Sequence, residues 1–328
     1  MLNYILKRLV YMIPTLFGMS IISFAIIQLP PGDYLTSLMS TLADGGAPID
    51  AATVERLRSQ YGLDQPIWMQ YGKWMAGILT RGDFGFSFEW NQPVAEVIWS
   101  RMGSTLALSF AALLFVWAVS LPIGIYSAVR RHSVGDYVFT FLGFIGLAVP
   151  NFIFALTLMY VSFRVFGQSV GGLYSPEYVD APWSWGKLWD LIMHLWIPII
   201  VIGTSGTAAM IRILRANLTD ELSKPYVTTA RAKGLPEYKV IVKYPVRIAL
   251  NPFVSAIGWV LPELVSGVTI TAIVLNLPTA GPLLLRALVA QDMYLAGSFI
   301  LLLSVLTLVG MLISDILLAL LDPRIRYN

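Results

Sequence analysis

Residues 103–129 have the sequence GSTLALSFAALLFVWAVSLPIGIYSAV, a run of 27 residues without a single charged side chain. A helix needs about 20 apolar residues to cross the hydrocarbon core of a bilayer. This run therefore predicts a membrane-spanning helix. Five other apolar runs predict spans of the same kind. The six predicted spans are 9–29, 103–129, 137–166, 191–211, 251–277 and 296–321.

The composition of the whole chain is typical of a membrane protein. Its 328 residues are 57% hydrophobic and 12% charged, whereas soluble domains contain roughly 25% charged residues. The apolar runs are too long and too uniform for barrel strands, and a helix pairs all of its backbone groups internally. The predicted fold is an all-α polytopic membrane protein with six transmembrane helices. A large external insertion follows the first helix, and a cytoplasmic helix lies between the fourth and the fifth.

The distribution of lysine and arginine predicts the orientation of the chain. Of the 22 basic residues, 14 lie on the side of both termini, which the positive-inside rule places in the cytoplasm. Topology accounts for these residues, so no nucleic-acid partner is expected. Lys7 and Arg8 precede the first run as in a signal peptide, but the run exceeds the about 7 to 15 residues usual there. It is interpreted as a retained anchor.

These boundaries divide the chain into three parts: the N-terminal tail with the first span (1–29), an external insertion (30–102), and a core (103–328) that contains a cytoplasmic loop (212–250). In the insertion, the pattern predicts an amphipathic helix over 51–60 and a second helical segment opened by Pro66. Seven aromatic residues follow, either as a belt at the headgroups or as a cap over an external entrance. They are Trp68, Tyr71, Trp74, Phe84, Phe86, Phe88 and Trp90.

The cytoplasmic loop contains two predicted helices. Ser223 is a candidate N-cap for a helix over 224–233, and Gly234 followed by Pro236 is typical of its end. A helix this short is marginal in water, so it is expected to dock, with Ala230 and Ala232 letting a partner approach. The alternative is a basic helix lying on anionic lipid. A second helix is predicted over 237–250, with an apolar side formed by Val240, Ile241, Tyr244 and Ile248.

Residues 226–235 (YVTTARAKGL) resemble the cytoplasmic E-A-A-x-x-x-G loop of ATP-binding-cassette importer permeases, in the form found in the dipeptide, oligopeptide and nickel permease family. Thr228 stands where the general loop has glutamate. The resemblance extends along nearly the whole chain. Further similar motifs are 6–9 (LKRL), 31–33 (PGD), 61–66 (YGLDQP), 70–71 (QY), 82–87 (GDFGFS), 93–94 (PV), and 315 with 321–327 (LDPRIRY).

The resemblance implies a non-catalytic permease subunit in a bacterial inner membrane. Its implied partners are the lipid bilayer, a second homologous permease, two ATPase subunits and an extracytoplasmic solute-binding protein. The implied solute is a di- or oligopeptide, with an oligosaccharide, an opine-like compound or a nickel chelate as alternatives. The family's coupling helix, which contacts the ATPase, corresponds to Thr229, Ala230, Arg231, Ala232, Lys233, Gly234 and Leu235.

No cofactor is expected in this chain. The sequence has no G-x-x-x-x-G-K-[ST] phosphate loop, so the resemblance implies that ATP and magnesium bind to the partner ATPases. Cysteine is absent and the two histidines are His132 and His194, which leaves no adequate set of metal ligands. His194 follows Asp190 by four residues and is expected to pair with it on the helix surface.

Ionisable residues inside the spans are candidates for the translocation pathway because they are costly in hydrocarbon. Glu263, beside Pro262, lies nearest a span centre and is predicted to face the pathway, where it would favour a cationic or hydroxyl-rich solute. Asp315 is expected to be structural. A proton-coupled secondary transporter using Glu263 and Asp315 is the alternative from a different class. Four prolines are expected to interrupt spans: Pro122, Pro150, Pro198 and Pro262.

Overall fold

The computed structural model describes residues 2–28, 65–87, 89–167, 171–256, 263 and 268–321. Nearly all of the regular structure in this part of the chain is helical, and residues 251–256 add a helical segment to the main elements. In chain order the elements are α1 (Leu2–Gln28), α2 (Ile67–Arg81), β1 (Phe86–Ser87), β2 (Gln92–Pro93), α3 (Val94–Val129), α4 (Val134–Ala148), α5 (Asn151–Phe166), a 3₁₀ turn (Pro176–Tyr178), α6 (Trp185–Leu222), α7 (Pro225–Ala232), α8 (Glu237–Lys243), α9 (Pro245–Ala249), α10 (Thr269–Val274), α11 (Ala280–Val289) and α12 (Met293–Leu321).

The predicted all-α membrane fold is confirmed in its main features. Among the described residues, four helices are long and apolar enough to cross a bilayer, within α1, α3, α6 and α12, and α4 with α5 gives a fifth if that pair counts as one span. The count of six stays a prediction, because the middle of the fifth predicted span lies outside the described residues. Residues 51–60, the predicted amphipathic helix of the insertion, also lie outside them.

The predicted span 137–166 is broken rather than straight. α4 and α5 meet at an angle of 103°, and Pro150 precedes the first residue of α5. Proline lacks the N–H that a continuing helix needs, and it disfavours the α conformation of the residue before it. Pro122 and Pro198 lie within the continuous helices α3 and α6, so the expectation of an interruption is wrong at these two positions. Pro262 lies outside the described residues.

Several helices extend beyond the apolar runs that predicted them. α3 begins at Val94, nine residues before the predicted start at Gly103 and inside the predicted insertion. α6 extends the predicted 191–211 at both ends. The length of an apolar run indicates how much hydrocarbon a helix crosses. The helix itself can continue into polar surroundings where its side chains are buried in the protein. Val94, Val97 and Ile98 at the start of α3 are buried.

The chain forms two compact units, of which one is built mainly from Ser104–Pro278. Its central helix is α6. One apolar cluster joins α6 to α3 and α5 through residues that include Ala112, Ala155 and Ile197, and a second joins it to α9 and to Phe253. No residue of α6 between 193 and 211 is exposed, so α6 organises the core of this unit.

The second unit is built from Lys7–Gly103 and Thr279–Leu306, and aromatic residues of α2 pack against α1 in it. Trp74 is buried against Phe24, and the Tyr71 hydroxyl lies 2.7 Å from the Ser20 hydroxyl. Trp68 on the same helix is 76% exposed. The predicted aromatic set is therefore divided, since some of its members hold α2 on α1 while Trp68 faces outward.

The G-D-F-G-x-S motif at 82–87 connects α2 to the start of α12. Gly85 has a φ of +95°, and a Cβ at this position would lie 2.9 Å from the Tyr294 ring, so only glycine fits. The Ser87 hydroxyl donates a 2.6 Å hydrogen bond to Asp292, which is fully buried. The motif found in the sequence thus attaches the short β-hairpin to α12.

Candidate functional site

The candidate site begins where α6 ends, at the short helix α7. Lys224 is extended in front of the helix and Pro225 occupies its first turn, where no N–H partner is needed. The prediction that Ser223 caps α7 is wrong. Ser223 instead ends α6, and its hydroxyl donates to the carbonyl of Asp220 at 2.7 Å. Within the described chain, the N-cap residue Lys224 makes no side-chain hydrogen bond to the first turn of α7, and Thr229 donates to the carbonyl of Pro225 at 3.0 Å.

α7 keeps its shape by packing against α8. Val227 and Val240 are fully buried, Ala230 is 5% exposed, and Leu235 packs against this small cluster. We call α7, the turn 233–236 and α8 the α7–α8 hairpin. Because an isolated eight-residue helix is marginal in water, this apolar contact explains how the segment stays ordered. Docking of the helix on a partner stays a prediction.

The predicted second helix, 237–250, is divided into α8 and α9 at Tyr244. Tyr244 has φ −112° and ψ −76°, because Pro245 removes one helical hydrogen bond and crowds the residue before it. This break also changes which residues of the predicted helix 237–250 are buried. Val240 and Ile241 are buried, but Ile248 is 43% exposed, so the expectation of Ile248 on that side is wrong.

The turn of the α7–α8 hairpin depends on Gly234. Its φ is +73°, in the left-handed region that was predicted, and its N–H donates to the carbonyl of Arg231 at 2.9 Å. A Cβ at Gly234 would meet no atom within 4 Å. Glycine is therefore required by the backbone conformation and not by space. Pro236 then precedes α8, as predicted.

An ion pair closes the hairpin on its outer side. The Arg231 guanidinium donates to Glu237 at 2.6 Å from Nη2 and at 3.1 and 3.2 Å from Nε. Hydrogen bonding from Arg231 holds the pKa of the Glu237 carboxyl below its ordinary value, and the same bond raises the pKa of Arg231. The side chains are 45% and 54% exposed, so water screens the attraction.

A second contact ties the hairpin to α6. The Tyr226 hydroxyl donates to the Glu221 carboxylate at 2.5 Å. Burial and the hydrogen bond to Glu221 raise the pKa of Tyr226, so the hydroxyl stays protonated as a donor. Two turns earlier on α6, Arg215 pairs with the buried Asp136 of α4 at 2.8 Å. These contacts connect the hairpin through α6 to the first turn of α4.

The seven residues that the sequence assigned to coupling occupy one end of the hairpin but face different ways. Ala230 is buried inside the hairpin and Leu235 is half-buried against the same cluster. The other five are exposed: Thr229, Arg231, Ala232, Lys233 and Gly234. The exposed five form the surface that another molecule could touch, whereas Ala230 supports that surface from within.

The other candidate residues lie elsewhere. Glu263 is helical and exposed and is not part of the α7–α8 hairpin. Pro262 lies outside the described residues. His194 contacts Asp190 as predicted, with Nδ1 2.8 Å from the Asp190 backbone oxygen and 3.5 Å from a carboxylate oxygen. This pair is buried rather than on the helix surface. In the described part of the chain, no three side chains of metal-ligating type come together.

Sequence reasoning missed the polar contacts that position the hairpin. Arg231 and Glu237 lie six residues apart across a Gly-Leu-Pro turn, and Tyr226 lies five residues after Glu221 across Lys224-Pro225. In each case two complementary polar groups flank a helix break, which is the signal that could have identified them. Asp136 and Arg215 are 79 residues apart, and no local pattern joins them.

Two family models match this chain. A model described as binding-protein-dependent transport system inner membrane component matches residues 120–327, which include α6 and the α7–α8 hairpin. A model of the N-terminal membrane component of the same systems matches residues 1–109. Together they cover nearly all of the chain.

Curated relatives align over their full length. An oligopeptide transport system permease protein of Bacillus subtilis is 36% identical over 329 residues, covering 100% of both chains. A dipeptide transport system permease protein of Escherichia coli is 31% identical over 344 residues, again covering 100% of both. A glutathione transport system permease protein of Escherichia coli is 33% identical over 330 residues with the same coverage.

Proposed function

The chain belongs to the family of binding-protein-dependent transport system inner membrane components, and we propose that it forms half of the translocation pathway of an ATP-driven importer. A second, homologous permease would supply the other half. The observation that supports this proposal best is the match of the family models and relatives along the whole chain, including the hairpin that follows α6.

We propose a di- or oligopeptide as the solute, delivered by an extracytoplasmic binding protein. Relatives named for oligopeptide, dipeptide and glutathione transport support this class. Glu263, exposed in the described chain, is proposed to face the pathway and to attract the amino group of the solute. Replacement of Glu263 by Gln is expected to lower uptake of cationic peptides more than uptake of neutral ones.

The α7–α8 hairpin is proposed to contact a partner ATPase. Its internal cluster gives it a fixed shape, and five exposed residues at the end of α7 offer a surface for docking. The ATPases would bind ATP and magnesium, so this chain would be non-catalytic. The hairpin and both termini would then lie in the cytoplasm, the side to which the excess of lysine and arginine assigns them.

A bulky residue at the exposed Ala232 tests the docking surface. Ala232→Trp is expected to leave the hairpin folded, because the side chain points away from the Val227 and Val240 cluster, and to block the ATPase. Val134→Trp, at the first residue of α4, which is 80% exposed, is the control, because it adds the same indole ring outside the hairpin. The measurements are co-purification of ATPase subunits and solute-stimulated ATP hydrolysis in proteoliposomes.

The expected result is loss of ATPase binding or of stimulated hydrolysis in Ala232→Trp only. Normal co-purification and uptake by that variant would contradict the docking role of the hairpin. Uptake driven by a proton gradient in the purified single chain, without any ATPase, would instead support a secondary transporter and overturn the importer assignment.

A further inference from the structure

Large apolar side chains are exposed at the start of α6. Trp183, just before the helix, is 72% exposed, Trp185 is 87% exposed and Trp189 is 61% exposed. Leu188 and Ile192 continue this surface at helical spacing. Two turns of α6 therefore present an apolar stripe outward.

The polar residues of the same turns point inward. Lys187 is only 8% exposed. Its ammonium donates to the carbonyls of Ala181 at 2.6 Å and Val179 at 3.3 Å and lies 4.9 Å from the centre of the Tyr174 ring. On a surface in water, lysine side chains are usually exposed and large apolar side chains are usually buried. Here the lysine is buried among carbonyls and rings, and the tryptophans are exposed.

The end of α5 shows exposed aromatic residues as well. Phe163 and Phe166 are 62% and 63% exposed. Leu158 of α5 and Ile197 of α6 belong to one apolar cluster. Phe166 comes eight residues after Leu158, and Trp189 eight residues before Ile197. At 1.5 Å per residue, Phe166 and Trp189 each lie about 12 Å along their own helix from the residue that packs in that cluster.

The distance to the next exposed residue on α6 matches a bilayer. After Ile192, the first exposed residue of α6 is Arg212. Trp189 and Arg212 are 23 residues apart in one helix, or about 35 Å, slightly more than the ~30 Å hydrocarbon core. A tryptophan at one edge and an arginine at the other is the arrangement that the two membrane interfaces favour.

We infer that Phe163, Phe166, Trp183, Trp185 and Trp189 form an aromatic belt that contacts the phospholipid headgroup region, on the side of the membrane opposite the α7–α8 hairpin. The indole ring has an apolar body and one N–H donor, which suits the boundary between acyl chains and water. The buried Lys187 holds the loop beneath this belt and keeps Trp183 in place. The inference concerns contact with lipid and does not depend on the proposed transport function.

The natural chain has no cysteine, so single cysteines can be introduced without removing any. Full-length variants Trp185→Cys, Trp189→Cys and Phe166→Cys would carry a nitroxide in nanodiscs of phosphatidylethanolamine and phosphatidylglycerol. Power-saturation spectroscopy would measure collisions with oxygen, which enters lipid, and with a water-soluble nickel chelate. Thr229→Cys on the exposed side of α7, in the chain purified without ATPase subunits, is the aqueous control. Leu188→Cys tests the same stripe without loss of a tryptophan.

The expected result is nickel accessibility severalfold lower at residues 166, 185, 188 and 189 than at 229, with oxygen accessibility higher at the first four. Nickel accessibility equal to that of residue 229 would overturn the inference, since the stripe would then face water. Low accessibility to both reagents would also overturn it, because another protein would cover the stripe.

Discussion

The two ends of α6 have opposite arrangements of polar and apolar side chains. At its start, Lys187 and His194 are buried while Trp185 and Trp189 are exposed. At the hairpin that follows its end, Val227 and Val240 are buried, whereas Arg231 of α7 and Lys233 directly after it are exposed. We infer that the same long helix connects a region that contacts lipid to a region that contacts water. Burial, more than the hydropathy of single residues, indicates which solvent each end meets.

The largest effect is expected from a charge placed inside the hairpin. Val240→Asp would place a carboxylate in a cluster where the native side chain is fully buried, and we expect a cost of more than about 4 kcal/mol. The hairpin should then open. Limited proteolysis at Arg231 and Lys239 should become fast, and the hairpin should lose its partner in co-purification.

Val242→Asp is the matched control for this prediction. Val242 lies two residues further along α8 and is 61% exposed, so the same new charge should meet water at little cost. A proteolysis rate for Val240→Asp equal to that of Val242→Asp would show that the hairpin does not depend on its internal cluster.

Aspartate placed at two equally exposed positions should distinguish the two ends of α6. Trp189 and Val242 are both 61% exposed, but we assign Trp189 to lipid headgroups and Val242 to water. Trp189→Asp should destabilise the protein in a bilayer by somewhat less than the about 3 kcal/mol found for aspartate at a span centre. Val242→Asp should change little. Thermal unfolding of both variants in nanodiscs measures the difference.

Equal melting temperatures for these two variants would contradict the distinction between the ends of α6.

A comparison of Trp189→Phe with Trp189→Asp separates loss of the indole from gain of charge. Trp189→Phe keeps an aromatic ring, and we expect it to fall between the wild type and Trp189→Asp. A melting temperature for Trp189→Phe as low as that of Trp189→Asp would assign the effect to packing.

Much of the fold could be predicted from apolar run length, because backbone groups in hydrocarbon allow few alternatives to a helix. The ends of the helices could not. α3 begins at Val94, and Val97 and Ile98 in its first turns are buried, which hydropathy alone does not report. The prolines also required tertiary information, since Pro150 breaks a helix whereas Pro198 is buried within one.

The hairpin was predictable where local chemistry decides its structure. Gly234 and Pro236 indicated the turn because few residues tolerate those backbone conformations. The expectation that Ala230 lets a partner approach is wrong, because Ala230 is buried against Val227 and Val240 inside the hairpin, and an alanine fits either side of a helix. The buried Lys187 was also missed, because its partners are carbonyls and rings of a loop, and such contacts leave no pattern in the sequence.

A smaller effect is expected at the turn of the hairpin. Gly234→Ala would place a side chain at a φ of +73°, which costs about 1–2 kcal/mol for residues other than glycine. No atom lies within 4 Å of the new Cβ, so the cost should come from the backbone alone. Proteolysis of the hairpin should accelerate about tenfold, the equivalent of 1.4 kcal/mol. Gly234→Asn should have a smaller effect, and an equal effect would point to a clash.

The smallest effect concerns the ion pair on the aqueous side. The pKa of Glu237 is lowered from 4.5 in the folded chain, so the pair stabilises the hairpin above that pH, and the contribution is lost as pH falls through the lowered value. The hairpin of Glu237→Gln should therefore open slightly more readily than wild type at pH 7. The difference should vanish in acid, below the lowered pKa of Glu237, and shrink at high salt. Hydrogen exchange of residues 225–243 measures it. A difference that persists in acid would mean that Glu237 acts through packing, and the aqueous end of α6 would then rely on contacts like those of its lipid-facing end.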